Sequence, residues 1–90
     1  MKPSEALRAG AELVERGHCH GDYAAVAWCF YGALRRVQSN WYAISIASYM
    51  VRALKRPPGS LLIAWNDASD GPTVARVMRE AATLAEAEGA

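Results

Sequence analysis

Four side chains able to bind a metal or attack an electrophile fall within one short segment: His18, Cys19, His20 and Cys29. Imidazole nitrogen and thiolate sulfur are natural zinc donors, and mixed Cys/His tetrahedra are common structural sites. The spacing argues against one here. Adjacent residues rarely ligate one ion together, so His18-Cys19-His20 offers two donors rather than three. The chain has no C-x₂-C knuckle and no H-x₃-H pair. Cys19 beside either histidine also suggests a nucleophile and its base, the thiol activated at a helix N-terminus. Sequence neighbours seldom orient on one another that way, and the Asp22 carboxylate disfavours a thiolate. The expectation is therefore a turn with exposed histidines, with Asp22 capping the next helix and Cys29 packed within it. Neither a catalytic residue nor a cofactor is expected.

Two further constellations carry possible chemistry. In "AWNDASDG", Trp65, Asn66 and Asp67 could bind a cation or polarise a ligand. Asn and Asp are also the residues that make caps and Asx-turns, and that structural role is expected to prevail. The second is a basic set: Arg35, Arg36, Arg52, Lys55 and Arg56 at two helix ends, with Trp41 and Tyr42 available for stacking on bases. A recognition helix would need a whole polar face. The helix in question offers only the stripe Ser45, Ser48 and Arg52. Solvated helix ends are the favoured reading.

The elements that must position these residues read as helices. Ser4 is the expected N-cap of a first helix, with Glu5 in its first turn and Gly17 at its end. Leu7, Ala11 and Val14 mark its buried face, with Arg8–Glu12 and Glu12–Arg16 as (i, i+4) pairs opposite. A second helix runs from Tyr23 to about Leu34, where Ala25, Cys29 and Gly32 form a strip of small side chains. Arg35 and Arg36 follow at its C-terminal end, where cations suit the helix dipole. Ser39 or Asn40 opens a third helix, Trp41 to about Lys55, apolar on most sides. "KRPPGS" breaks the chain, since proline cannot continue a helix. "LLIAW" is expected to be a short helix, with a strand as the alternative. Thr73, or the turn Asp70–Pro72, starts a last helix with Val74, Val77, Met78, Ala81 and Ala85 inward. Its Arg76, Arg79, Glu80 and Glu86 face water. Seven of the eight aromatic residues lie between Tyr23 and Tyr49. The second and third helices are therefore expected at the centre of the core.

Composition sets the frame. Ninety residues make one domain, residues 1–90, and 52% of them are apolar. Eighteen are alanine, which favours helix and lets helix axes approach closely. The net charge of +1 is too balanced to imply a nucleic-acid or membrane partner by itself. It conceals an asymmetry: residues 1–66 hold eight cations and four acids (+4), and residues 67–90 two cations and five acids (−3). No apolar run is long enough to span a bilayer and none resembles a signal peptide. No membrane partner is expected, and the expected compartment is the cytoplasm, where Cys19 and Cys29 stay reduced. The whole is expected to be an all-α, compact bundle of four main helices plus one short helix.

The blocks "RGHCHG", "AWCFYGAL" and "AWNDASDGPT" resemble a family of small uncharacterised proteins, found mainly in actinobacteria and phages and classed as a domain of unknown function. The resemblance rests on Cys19, Gly21, Trp28, Cys29, Gly32, Ala33, Leu34, Trp65, Asn66, Asp67 and Thr73. It implies a shared framework of a Cys-x-Gly turn, a Trp-Cys-x-x-Gly-Ala-Leu helix and a Trp-Asn-Asp turn before a Thr-capped helix. It implies no activity. His18 stands where the family commonly has tryptophan, and the connection from Cys19 to Trp28 is short. The leading functional expectation is a non-enzymatic protein–protein interaction module, such as a phage- or mobile-element-encoded inhibitor of a host complex of the anti-CRISPR kind. Its expected partners are a host protein or a second copy in a homodimer. A small nucleic-acid-binding regulator and a Cys/His metal or thiol enzyme are the alternatives.

Overall fold

The first helix starts where proline allows. Pro3 brings a helical φ and lacks an N–H that would have no partner in the first turn. Helix α1 accordingly spans Pro3–Arg16 in a computed structural model that describes residues 2–17, 30–37, 43–57, 60 and 62–90. The cap is Lys2, whose backbone N–H donates to Glu5 Oε1 at 2.9 Å, the reciprocal half of a capping box. Ser4 is not the cap. It lies inside the first turn, buried, and its hydroxyl donates to the Ala90 carbonyl at 3.0 Å. Proline at the first helical position moves the cap back to Lys2 and releases Ser4 for this long-range contact. Gly17 does close the helix, its N–H donating to the Leu13 and Val14 carbonyls. Its φ of −177° is extended backbone, open to any residue.

Helix α2 spans Phe30–Val37 and α3 spans Ala43–Ala53. In α2, Gly32, Ala33 and Leu34 are buried and Arg35 and Arg36 exposed. The expected start of that helix, from Asp22 and Tyr23 through Ala25, Trp28 and Cys29, lies outside the described residues. In α3, Ile46, Met50 and Val51 face the core while Ser48 and Arg52 face water. Its end is a Schellman turn: Arg56 N–H donates to the Val51 carbonyl, and Lys55 N–H to that of Arg52. Lys55, at φ 56°, takes the left-handed position that glycine usually fills.

"LLIAW" becomes the short helix α4, Ile63–Asp67, so Asn66 and Asp67 belong to a helix rather than to the turn after it. The Ser69 hydroxyl closes it by donating to the Trp65 carbonyl at 2.7 Å. The last helix, α5, spans Gly71–Ala87. Its cap is Asp70, whose carboxylate accepts the Thr73 N–H at 2.8 Å. Thr73 is the capped residue, not the cap.

The core gathers around α5. The predicted faces of α1 and α5 are both buried, and Ala6, Gly10, Ala75 and Ala82 widen them. Ser4 reaches Ala90, Arg8 reaches Glu86 and Glu15 reaches Arg79. Each advance along α1 is matched by an equal retreat along α5, so the two helices run antiparallel. Small side chains allow this closeness: a Cβ added to Gly10 would sit 2.8 Å from Met78 Cε and 3.3 Å from Leu34 Cδ2. Helices α2 and α3 pack chiefly on α1 and α5 respectively, and only slightly on each other. Among the described residues the alanine-rich α1–α5 pair makes the most extensive packing. Close approach of small-faced helices builds this pair; of the seven aromatic residues between Tyr23 and Tyr49, the side chains of all but Tyr49 lie outside the described residues. The described residues contain no strand, and the radius of gyration of 11.5 Å sits near the ~12 Å of a folded chain this long.

Candidate interaction groove and surface ion pairs

His18, Cys19, His20 and Cys29, with Gly21, Asp22 and Trp28, all lie outside the described residues, as do Trp41 and Tyr42. Among the described residues no three His, Cys, Asp or Glu side chains converge on one point. Asn66 and Asp67 do not form a joint site. Asn66 is 1% exposed on the core side of α4, while Asp67 is exposed. Trp65 packs half-buried against the core.

The basic residues divide into two groups. Leu34, next to Arg35 and Arg36, packs where Gly10 meets Met78. Arg52 instead pairs with Glu88. Met78 and Glu88 are separated by about 15 Å along a helix axis at 1.5 Å per residue. Arg52 is also engaged on two sides, since its guanidinium lies 5.4 Å from the Tyr49 ring centroid. The hydrogen bond from Arg52 holds the Glu88 carboxyl below its ordinary value, with the Arg52 charge and Tyr49 adding to the effect against some desolvation. The same bond raises Arg52. Arg35, Arg36, Lys55 and Arg56 are exposed, and no ion pair among the described residues engages them.

Two of the remaining three pairs tie α1 to α5. Arg79 bonds Glu15, which lowers the Glu15 carboxyl and raises the guanidinium through that hydrogen bond first. Arg8 bonds Glu86, and Arg76 bonds Glu80 at 2.7 Å within α5. Arg8, expected to pair with Glu12 within α1, bonds Glu86 across to α5 instead. Helix periodicity puts Arg8 near Glu12, but the antiparallel partner brings Glu86 just as near. Two of the pairs, Arg8–Glu86 and Arg52–Glu88, join the basic part of the chain to its acidic end. The charge asymmetry in the sequence thus serves internal packing in part.

Between α3 and α5 lies an open groove lined by Arg52, Ala53, Lys55, Glu80, Thr83 and Leu84. Its lining is mostly apolar, with Ala53 and Leu84 among charged Arg52, Lys55 and Glu80. Ala53, Glu80, Thr83 and Leu84 were not singled out by sequence. Leu84 continues the inward series Val77 and Ala81 at helical spacing, so its place at the stripe's edge was the available signal.

These features define a small all-helical domain held by an alanine-rich helix pair, with surface charges that clamp its helices. The chain belongs to a family of unknown function, DUF6197, whose model matches residues 1–84. No curated protein and no solved structure matches it. The matched range includes the groove and stops short of Glu86, Glu88 and Ala90. Among the described residues, no helix is long and apolar enough to cross a membrane.

Proposed function

We propose that this chain is a non-enzymatic protein–protein interaction module: one cytoplasmic domain, residues 1–90, built as four main helices and one short helix. In its concrete form it is a phage- or mobile-element-borne inhibitor that binds and blocks a host complex. The observation that supports this reading is the α3–α5 groove. A mostly apolar lining set among charges is the surface chemistry of a docking site, in which the apolar part gives affinity and the charges give orientation. A homodimer through the same face is the other occupant to consider, and the oligomeric state distinguishes them.

The test is affinity capture from host lysate, with and without nuclease, using wild type and Leu84→Glu. The expected result is one protein complex retained by wild type after nuclease treatment and lost with Leu84→Glu. Retention only through nucleic acid would defeat the proposal in favour of a small regulator. That second reading draws support from exposed Arg35, Arg36, Lys55 and Arg56, and it requires DNA retention that weakens steeply with salt.

A further inference from the structure

Lys55 holds a backbone position that suits glycine. At φ 56° it is the one non-glycine residue with positive φ among the described residues, and left-handed backbone is costly for a residue with a Cβ. Glycine would end α3 in the same Schellman turn without that cost. What lysine adds is a side chain, and this one lines the groove between α3 and α5. The other charges of the groove are already taken up: Arg52 pairs with Glu88, and Glu80 with Arg76. Among the described residues no ion pair engages Lys55, and exposed Arg56 beside it has the same sign. Ala53 and Leu84 line the same groove and supply apolar surface.

We infer that the groove docks an acidic–apolar segment of a partner protein, a stretch with Asp or Glu within one helical turn of a Leu, Ile or Phe. The apolar side chain seats on Ala53 and Leu84 while the carboxylate meets Lys55. This rests on the reading of the chain as an interaction module and adds the chemistry of its partner. Electrostatic complementarity selects the acidic segment because a basic one would place like charge against Lys55.

The test is selection of a displayed random-peptide library on the purified chain, followed by fluorescence anisotropy with the consensus peptide. Enriched peptides are expected to share an acid within four positions of a large apolar residue. Their binding should weaken at least about tenfold with Lys55→Glu, and by a similar factor with Leu84→Glu. Lys55→Glu places an acid at the C-terminal end of α3, so circular dichroism checks the fold of both variants. Lys55→Gln, which removes the charge without reversing it, should weaken binding in the same direction. No enrichment, a consensus without acids, or binding indifferent to Lys55→Glu would overturn the inference. So would a wild-type dimer in light scattering that Leu84→Glu converts to monomer, since a second copy would then fill the groove. A partner captured from lysate equally by wild type and Lys55→Glu would overturn the inference alone and leave the interaction module standing.

Discussion

At Lys55 the backbone and the side chain make opposite demands, and the conflict can be measured. A residue with a Cβ in the left-handed region costs roughly 1–2 kcal/mol relative to one without. Lys55→Gly is therefore expected to raise stability by about 1 kcal/mol in urea or thermal unfolding, while weakening peptide binding in the groove. A variant that melts at or below the wild-type temperature would show that the lysine side chain, rather than the turn, secures the end of α3. The sequence reveals only half of this. "KRPPGS" announces that the helix stops, because proline cannot extend it, but proline does not say which residue takes the left-handed position. That depends on which α3 carbonyls the turn must satisfy, here those of Val51 and Arg52, which accept from the Arg56 and Lys55 N–H groups. Asp70 and Thr73 show the same limit: the turn was readable, but both residues can cap, and only geometry separates the carboxylate acceptor from the N–H donor.

Among the elements, the α1–α5 pair shows where periodicity stops being informative. The spacing of Leu7, Ala11 and Val14 identifies a buried face, and that of Val74, Val77, Met78, Ala81 and Ala85 another. Neither spacing says which helix meets which, and the aromatic count points to α2 and α3 as the centre. The close approach at Gly10 decides the pairing, and it can be probed by size. Gly10→Ala is expected to be close to neutral. Its Cβ meets the flexible methyl end of Met78, and the roughly 1 kcal/mol gained in helix propensity offsets that adjustment. Gly10→Leu cannot be accommodated by one methyl group, and overpacking of this kind should cost about 1–3 kcal/mol. Chemical denaturation of the two variants checks the contrast. Equal stabilities would mean that α1 and α5 have room to separate.

For the molecule as a whole, the charge pattern becomes a dependence of stability on pH. The positive and negative parts of the sequence suggest attraction between them, and Arg8–Glu86 and Arg52–Glu88 are that attraction. Arg79–Glu15 runs the other way, from the acidic part back to the basic one, which no count of charges could reveal. The carboxyls of Glu15 and Glu88 lie below the ordinary value of 4.5 because an arginine hydrogen-bonds each one. A carboxyl with a depressed folded value binds protons more readily once unfolded. Its stabilisation is therefore complete above the ordinary value and is lost as pH falls through the lower folded one. Wild-type melting temperature is expected to hold steady from neutral pH down to about pH 5 and to decline below it. The double variant Glu15→Gln, Glu88→Gln should melt slightly lower at neutral pH and lose less on acidification, so the two curves converge at low pH. Both carboxylates are exposed, so the gap at neutral pH should be small and should narrow further at high salt. Parallel curves across the whole range would show that these pairs do not hold α1 and α3 against α5, and that close packing of small side chains does so alone.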